Sequence, residues 1–120
     1  MNNTTPEIMA PAGDVPAFLA ALAAGADAIY LGLKHFSARM QAENFSISQL
    51  SRLANLAHDR NARVYVAMNP LLKPGDPVAA GRLLDRLNRL VRTDAIIVQD
   101  QGLVNLARQT GFSGEIHLST

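Results

Sequence analysis

Polar side chains stand at the carboxyl ends of three successive predicted strands. Asn69 ends the third strand, Asp100 the fourth and Ser119 the fifth, and His117 lies two residues before Ser119. An amide, a carboxylate, a hydroxyl and an imidazole can bind a polar ligand, and the carboxylate and imidazole can also move protons. Because α/β proteins place their sites at this end of parallel strands, we predict catalytic roles for Asp100 and His117 and ligand binding by Asn69 and Ser119.

Side-chain alternation along each strand predicts which residues share a face with these polar groups. We expect three such sets, which are Tyr65 and Ala67 with Asn69, Ile96 and Val98 with Asp100, and Glu115 with His117 and Ser119. A structural interpretation stays open, in which Asp100 and Asn69 cap the following segments and His117 is a core histidine. For His117 alone the structural interpretation is favoured, whereas three consecutive polar strand ends favour function.

The segment after the second strand is long and polar, which in compact domains is typical of a functional loop. It contains Lys34, His35, Phe36 and Arg39, where cations beside an aromatic ring could hold a phosphate or stack on a base. Spacing alone favours an ordinary solvated loop. The residues that follow, 44–46, also fit a hydrophobic staple and cap ahead of the second helix.

The elements that must position these residues alternate along the whole chain. The predicted strands are Glu7–Ala12, Ala28–Leu33, Arg63–Asn69, Ala95–Asp100 and Glu115–Ser119, and the helices are Asp14 to Ala24, Ser48–Asp59, Val78–Val91 and Gly102–Thr110. Right-handed crossovers make all five strands parallel. A portion of a (β/α)8 barrel and a doubly wound open sheet both fit, and we predict the α/β class with parallel (β/α) units in a partial TIM-barrel-like arrangement, four βα units plus a fifth strand.

Composition excludes several kinds of chemistry. The 120 residues are 48% hydrophobic with a net charge of +1, which indicates one globular unit and gives no field that implies nucleic acid or membrane. There is no cysteine, so the chain has no disulfide, thiolate nucleophile or cluster ligand. Phosphate-binding glycine motifs and H-E-x-x-H are absent. No histidine spacing typical of a metal site is present. Because the chain has no secretory signal and no apolar membrane span, we expect a cytoplasmic protein.

Several motifs, taken together, resemble the collagenase-like peptidase family. They are P-A-G-D at Pro11–Asp14, G-A-D-A-I-Y-L-G at Gly25–Gly32, Arg39, N-F-S at Asn44–Ser46, Asn69, I-I-V-Q-D-Q-G at Ile96–Gly102 and I-H-L-S-T at Ile116–Thr120. The resemblance covers almost the whole chain in order. Leu33-Lys34 departs from it, since many members carry a further glycine after the second strand. Within these motifs we expect Gly13, Arg39 and Asn44 to bind ligand.

The resemblance implies that residues 1–120 form the N-terminal part of a barrel-like domain in a longer bacterial or archaeal protein. Family members are named as proteases or serve hydroxylation of a ubiquinone precursor, tRNA or ribosomal RNA, with an iron–sulfur centre on cysteines downstream of this region. We therefore expect no cofactor in this chain, an iron–sulfur cluster in the full-length protein, and RNA or a small molecule as its substrate. By itself this chain is expected to be inactive and to self-associate through open sheet edges. The alternative is a non-catalytic α/β module that binds a ligand or partner.

Overall fold

The computed structural model describes residues 7–34, 42–68 and 77–119. Its strands are β1 (Met9–Pro11), β2 (Ala28–Gly32), β3 (Arg63–Ala67), β4 (Ala95–Val98) and β5 (Glu115–Leu118). Its helices are α1 (Val15–Ala23), α2 (Ile47–Asp59), α3 (Pro77–Arg86), which continues into a π-helical turn at Leu87–Val91, and α4 (Gln101–Gln109). The strands lie in one parallel sheet in the order β1-β2-β3-β4-β5. This confirms the predicted alternation of parallel strands and helices.

The sequential strand order distinguishes between the two architectures that the sequence left open. A doubly wound sheet reverses its strand order at a switch point, whereas the strands of a barrel follow one another. The larger core lies on one face, where strand residues such as Ile29, Val64 and Ile96 pack with helix residues such as Phe18 and Leu84. The sheet is therefore wound like part of a barrel with its helices outside. It remains open at β1 and β5 in the part of the chain that the structure describes.

The opposite face of the sheet, here called the inner face, carries no helix from the described residues. Its residues alternate with those of the main core, and they are Met9, Pro11, Ala28, Tyr30, Gly32, Arg63, Tyr65, Ala67, Ala95, Ile97, Glu115 and His117. Ala28, Tyr65 and Ala95 form a small second core there, with Ile97 packed against it. The inner face is thus partly apolar, but it also carries the ionisable side chains that the helix-covered face excludes.

The strand register corrects one prediction about shared faces. Ile97 pairs with both Ala67 and His117, so Ile97 belongs to the inner face. The expectation that Ile96 and Val98 share the face of Tyr65 and His117 is wrong. The reason is that β4 ends at Val98 and the chain leaves the sheet before Asp100, so counting alternation back from Asp100 gave the wrong phase.

Local signals explain where two helices begin. Asp14 caps α1 by accepting a hydrogen bond from the Ala17 N–H at 2.9 Å. For α2 the cap is Ser46, whose hydroxyl accepts from the Gln49 N–H at 3.0 Å while the Gln49 side chain accepts from the Ser46 N–H at 2.9 Å. This reciprocal capping box satisfies two donors that a helix start leaves free. The helix therefore begins at Ile47 rather than at the predicted Ser48, and the predicted cap is confirmed.

The third helix differs from its prediction in its last five residues. Leu87–Val91 are wound as a π-helix, and Arg92 then takes a left-handed conformation with φ 58°. The Ser51 hydroxyl donates a hydrogen bond to the Leu90 carbonyl at 2.8 Å, which ties this turn to α2. No helix among the described residues combines the length and apolarity that crossing a membrane requires. Self-association through the edges of β1 and β5 stays a prediction.

Candidate functional site

Asn44 joins the carboxyl ends of the first two strands. Its side-chain Nδ2 donates hydrogen bonds to the Gly13 carbonyl at 3.0 Å and the Gly32 carbonyl at 2.8 Å. Its Oδ1 accepts a hydrogen bond from the Lys34 N–H at 2.9 Å. Both amide protons and the carbonyl oxygen of this side chain are therefore engaged by the backbone of the loops after β1 and β2. Asn44 is a positioning residue for this edge of the sheet, and direct contact with a ligand stays a prediction.

The two glycines that Asn44 holds leave open space at this edge. A Cβ atom added at Gly13 or at Gly32 would meet no other group within 4 Å. Both residues are exposed, and Gly32 belongs to the inner face. Since glycine permits close approach of a ligand to the backbone, this edge can receive a group that a side chain would exclude.

Asp100 lies at the same edge of the sheet, after β4. It is exposed, and its Oδ1 accepts a hydrogen bond from the Gly102 N–H at 2.6 Å, which caps α4. The Ser119 N–H donates to the Val98 carbonyl at 2.6 Å, so Ser119 continues the pairing of β5 with β4. The capping interpretation of Asp100 is thus present in the structure, and its catalytic role stays a prediction. Arg39 and Asn69 lie outside the described residues.

A connected set of ionisable and aromatic side chains occupies the inner face, and we call Arg63, Tyr65, Glu115 and His117 the inner-face network. Glu115 uses one carboxylate oxygen to pair with Arg63 Nη2 at 2.8 Å and the other to pair with His117 Nε2 at 2.9 Å. The Tyr65 ring lies edge-on to the His117 ring, with centroids 5.7 Å apart and planes at 73°. The Arg63 guanidinium lies 5.3 Å from the Tyr65 centroid, within the range of a cation–π contact.

The charges in this network favour an ionised Glu115. The hydrogen bond from His117, and then the one from Arg63, hold the pKa of the Glu115 carboxyl below its usual range. The hydrogen bond to Glu115 in turn raises the pKa of Arg63. Burial raises the pKa of the Tyr65 hydroxyl, which lies 3.4 Å from a Glu7 carboxylate oxygen. The network therefore joins a fixed negative charge to an imidazole and a guanidinium on an otherwise small and apolar face.

Sequence reasoning identified His117 but assigned no role to Arg63. Glu115 and His117 are two residues apart on one strand, so their side chains share a face, and this spacing could have predicted their contact. The pairing of Arg63 with Glu115 could be recognised only from the register of β3, β4 and β5. In that register Tyr65 pairs with Ala95 and Ala95 pairs with Glu115, which brings the start of β5 close to Arg63. No local pattern near Arg63 shows that pairing.

The amino end of the sheet holds a second polar cluster, built around Asp94. Its Oδ2 atom lies 2.8 Å from His58 Nε2 and accepts from the Val64 N–H at 2.7 Å. A cavity of about 520 Å³ lies beside it, lined by Asn88, Arg92, Thr93, Asp94, Ser113, Gly114 and Glu115. Because the Asp94 carboxylate accepts a backbone N–H of β3 and pairs with a side chain of α2, we interpret the Asp94 cluster as structural.

The residues that the structure describes do not fit a metal centre. In the described ranges, no group of three or more histidine, cysteine, aspartate or glutamate side chains could hold a metal ion. Iron–sulfur clusters are held mainly by cysteine thiolates, and the whole chain contains no cysteine. The residues of this chain therefore do not match a cluster site.

A sequential parallel sheet with helices on one face and polar groups at its carboxyl edge defines a TIM-barrel-like α/β protein. Solved structures agree with this class. The structure of a U32 peptidase matches 99% of this chain and half of its own, with a TM-score of 0.69 at 14% identity. A hydroxymethylglutaryl-CoA lyase from Pseudomonas aeruginosa matches 97% of this chain and 45% of its own, with a TM-score of 0.66 at 16% identity.

The chain belongs to peptidase family U32, whose family model matches residues 13–120. An uncharacterized protease of Methanocaldococcus jannaschii is 35% identical over 94% of this chain and 27% of its own length. A collagenase of Porphyromonas gingivalis is 31% identical over 100% of this chain and 28% of its own. A 23S rRNA 5-hydroxycytidine C2501 synthase of Escherichia coli is 36% identical over 83% of this chain and 15% of its own length.

Relatives named for tRNA hydroxylation also match, among them one from Bacillus subtilis at 30% identity and one from Escherichia coli at 34%. The chain spans less than a third of the length of these curated relatives. The names of the relatives therefore divide between proteolysis and hydroxylation of RNA.

Proposed function

We propose that the protein carrying this chain takes part in hydroxylation of RNA bases and that the chain forms part of the barrel that holds the base. The observation that carries the proposal is the inner-face network beside an open, glycine-lined edge. A nucleobase is planar, with a π-face and polar edges, and aromatic rings and guanidinium groups are the usual stacking partners of unpaired bases. Relatives of the chain named for tRNA and rRNA hydroxylation support the same substrate class.

Tyr30 adds an exposed ring to this surface. It pairs in register with Tyr65, and 39% of its surface is accessible. The register of the sheet therefore places two aromatic side chains side by side on the inner face, one buried and one available. A base that entered from the open edge at Gly32 would meet the Tyr30 ring first. Stacking on such a ring contributes about 1–3 kcal/mol per base.

Peptide hydrolysis is the second candidate, and it rests on the relatives named as a protease and a collagenase. Covalent peptide hydrolysis needs an activated nucleophile beside a base. Within the described part of the chain, His58 pairs with Asp94 and His117 with Glu115, and no serine or threonine hydroxyl is hydrogen-bonded to either ring. The described residues therefore support base recognition better than a hydrolytic dyad.

An iron–sulfur cluster in the complete protein belongs to the same proposal. Its cysteine ligands would have to come from outside residues 1–120, because the chain contains none. Such a cluster would supply electron transfer, which side chains of this kind cannot perform. The residues of this chain would bind and orient the base and handle protons. Anaerobic purification followed by an absorption spectrum and iron and sulfide analysis tests this part directly.

Deletion of the gene in the strain that carries it tests the substrate class. Total tRNA and ribosomal RNA are digested to nucleosides and compared by mass spectrometry before and after deletion. We expect a nucleoside carrying one extra oxygen to disappear and to return when the native gene is restored. Unchanged RNA refutes the proposal. Loss of a hydroxylated quinone precursor instead would assign the ring chemistry to quinone synthesis, and loss of gelatin cleavage would restore the protease interpretation.

A further inference from the structure

We propose that His117 accepts a proton from the bound substrate through its Nδ1 atom, and that Glu115, Arg63 and Tyr65 position the imidazole for this step. The substrate's identity rests on the proposed function, whereas the position of the imidazole rests on geometry alone. His117 would act as a catalytic base, and the other three would be positioning residues.

The hydrogen bond to Glu115 determines which ring nitrogen of His117 is free. An ionised carboxylate can only accept hydrogen bonds. Because Glu115 Oε1 lies 2.9 Å from His117 Nε2, that nitrogen must carry a proton. In the neutral imidazole the remaining nitrogen, Nδ1, is then a lone-pair acceptor. Glu115 thus fixes the tautomer in which the proton-accepting nitrogen is the one turned away from the carboxylate.

The network also restricts the orientation of both groups. Arg63 Nη2 engages the second oxygen of Glu115 at 2.8 Å, so neither carboxylate oxygen can move away without losing a hydrogen bond. The edge-on contact with Tyr65 limits rotation of the imidazole. Arg63 itself lies against the Tyr65 ring, which closes the network into a ring of mutual contacts. A base whose tautomer and ring plane are both held needs little reorganisation when it takes a proton.

The surroundings of His117 leave room for a substrate. Gly32, Ala67, Ile97 and His117 form one row across the inner face because each is paired in register with the next. Neighbouring strands lie about 4.8 Å apart, so this row extends about 14 Å. Gly32 and Ala67 are small, and the His117 side chain is 46% exposed. A planar ring lying over Ala67 and Ile97, the two residues next to His117 in this row, could present an N–H or O–H group to Nδ1.

The proton transfer is balanced without any further reactant. The N–H or O–H bond of the substrate breaks, its electron pair stays on the substrate, and an N–H bond forms at Nδ1 of His117. The imidazolium that results is stabilised by the negative charge of Glu115. It later releases the proton to water, which returns His117 to its starting form.

The second carboxylate–histidine pair in the described residues provides the matched control. His58 Nε2 lies 2.8 Å from Asp94, nearly the same distance as in the His117 pair. However, His58 lies on α2, and its carboxylate partner also accepts the Val64 N–H. A His58→Gln change removes an equivalent pair that joins α2 to the start of β4, and it alters no side chain of the inner-face network.

The test compares four variants of the full-length protein, each expressed from the native gene. They are His117→Gln, Glu115→Gln, Glu115→Asp and His58→Gln. The first readout is the initial rate at which the hydroxylated nucleoside appears after induction in the deletion strain. The second is long-range 1H–15N NMR of the imidazole in the purified protein, assigned by loss of signals in His117→Gln. This spectrum identifies the tautomer whether or not RNA is the substrate.

We expect His117→Gln to lower the rate about 100-fold or more, as loss of an acid–base group does. Glu115→Gln should lower it at least about 10-fold, because an amide no longer fixes the tautomer. Glu115→Asp should recover most of that loss, and His58→Gln should leave the rate per folded protein unchanged. The native spectrum should show Nε2–H and an unprotonated Nδ1 at neutral pH, and Glu115→Gln should alter it.

Either readout can overturn the inference. A His117→Gln rate within about threefold of the native rate would exclude a catalytic base, since such groups contribute far more. A native Nδ1–H tautomer, or a spectrum that Glu115→Gln leaves unchanged, would exclude the positioning network. If the native gene hydroxylates no RNA, the proposed function fails, and the NMR result alone decides between a held imidazole and a surface histidine.

Discussion

Replacing Asn44 by alanine should destabilise the carboxyl edge of the sheet more than any ordinary surface substitution. The change removes the hydrogen bonds to the Gly13 and Gly32 carbonyls and the one from the Lys34 N–H, which measure 3.0, 2.8 and 2.9 Å. A net contribution of about 1 kcal/mol for each bond gives about 3 kcal/mol, and partial exposure of the site lowers this to about 2 kcal/mol. Asn44→Asp should be at least as damaging, because its carboxylate faces two carbonyl oxygens and cannot donate to either.

Urea unfolding followed by circular dichroism measures the effect on the complete protein. With a slope of about 1–3 kcal/mol per molar urea for a small unit, the midpoint should fall by about 1 M. Hydrogen exchange read by mass spectrometry should show the Lys34 amide exchanging faster. Asn105→Ala is the matched control, since Asn105 is exposed on α4 and its side chain accepts a hydrogen bond from the Gln101 side chain at 3.3 Å. Equal midpoints for the two alanine variants would refute the positioning role.

Three further perturbations test other parts of the structure. Gly114→Ala should cost about 1–3 kcal/mol in the same unfolding assay, because the new Cβ would lie 2.8 Å from two backbone carbonyl oxygens. Gly81→Ala, which adds a Cβ in open space within a helix, should stabilise by about 0.5–1 kcal/mol. Equal effects of the two variants would contradict this prediction. Ser46→Ala should lower stability by about 1 kcal/mol through loss of the α2 cap, with the exposed Ser48→Ala as control. The pKa of Glu115 is lower in the folded state than in the unfolded state, so ionised Glu115 stabilises the fold above its unfolded pKa. This stabilisation is lost as the pH falls through the folded pKa. Glu115→Gln should therefore flatten the acid limb of a curve of stability against pH.

The course of the backbone was largely predictable because local signals agree with one another. Apolar alternation and the Asp14 cap place the ends of β2, β5 and α1 within one residue of those that the structure shows. The start of α2 was wrong by one residue because the capping pair Ser46 and Gln49 was not recognised as reciprocal. The π-helical turn before Arg92 was not predicted, and the hydrogen bond that ties it to α2 joins Ser51 to Leu90, which lie 39 residues apart in sequence.

The candidate site was harder to predict because it depends on register. The phase of β4 decides whether Ile96 or Ile97 lies beside His117, and a run of apolar residues contains no information about phase. The clamp at Asn44 joins residues 31 and 12 positions away, which no local pattern shows. The types of the polar residues therefore indicated that a site exists at the strand ends, whereas the partners of each residue needed the folded chain.

The two carboxylate–histidine pairs show why position must be argued together with pairing. In both, an imidazole nitrogen lies within 2.9 Å of a carboxylate oxygen. At the amino end, Asp94 also accepts the Val64 N–H, so this carboxylate holds α2 against β3. On the inner face, the Glu115 carboxylate pairs with the side chains of Arg63 and His117, and His117 is exposed beside Ile97. A pair that connects backbone elements serves the fold, whereas a pair held only by other side chains on an open face is available for chemistry, and the comparison of His58→Gln with His117→Gln separates these roles.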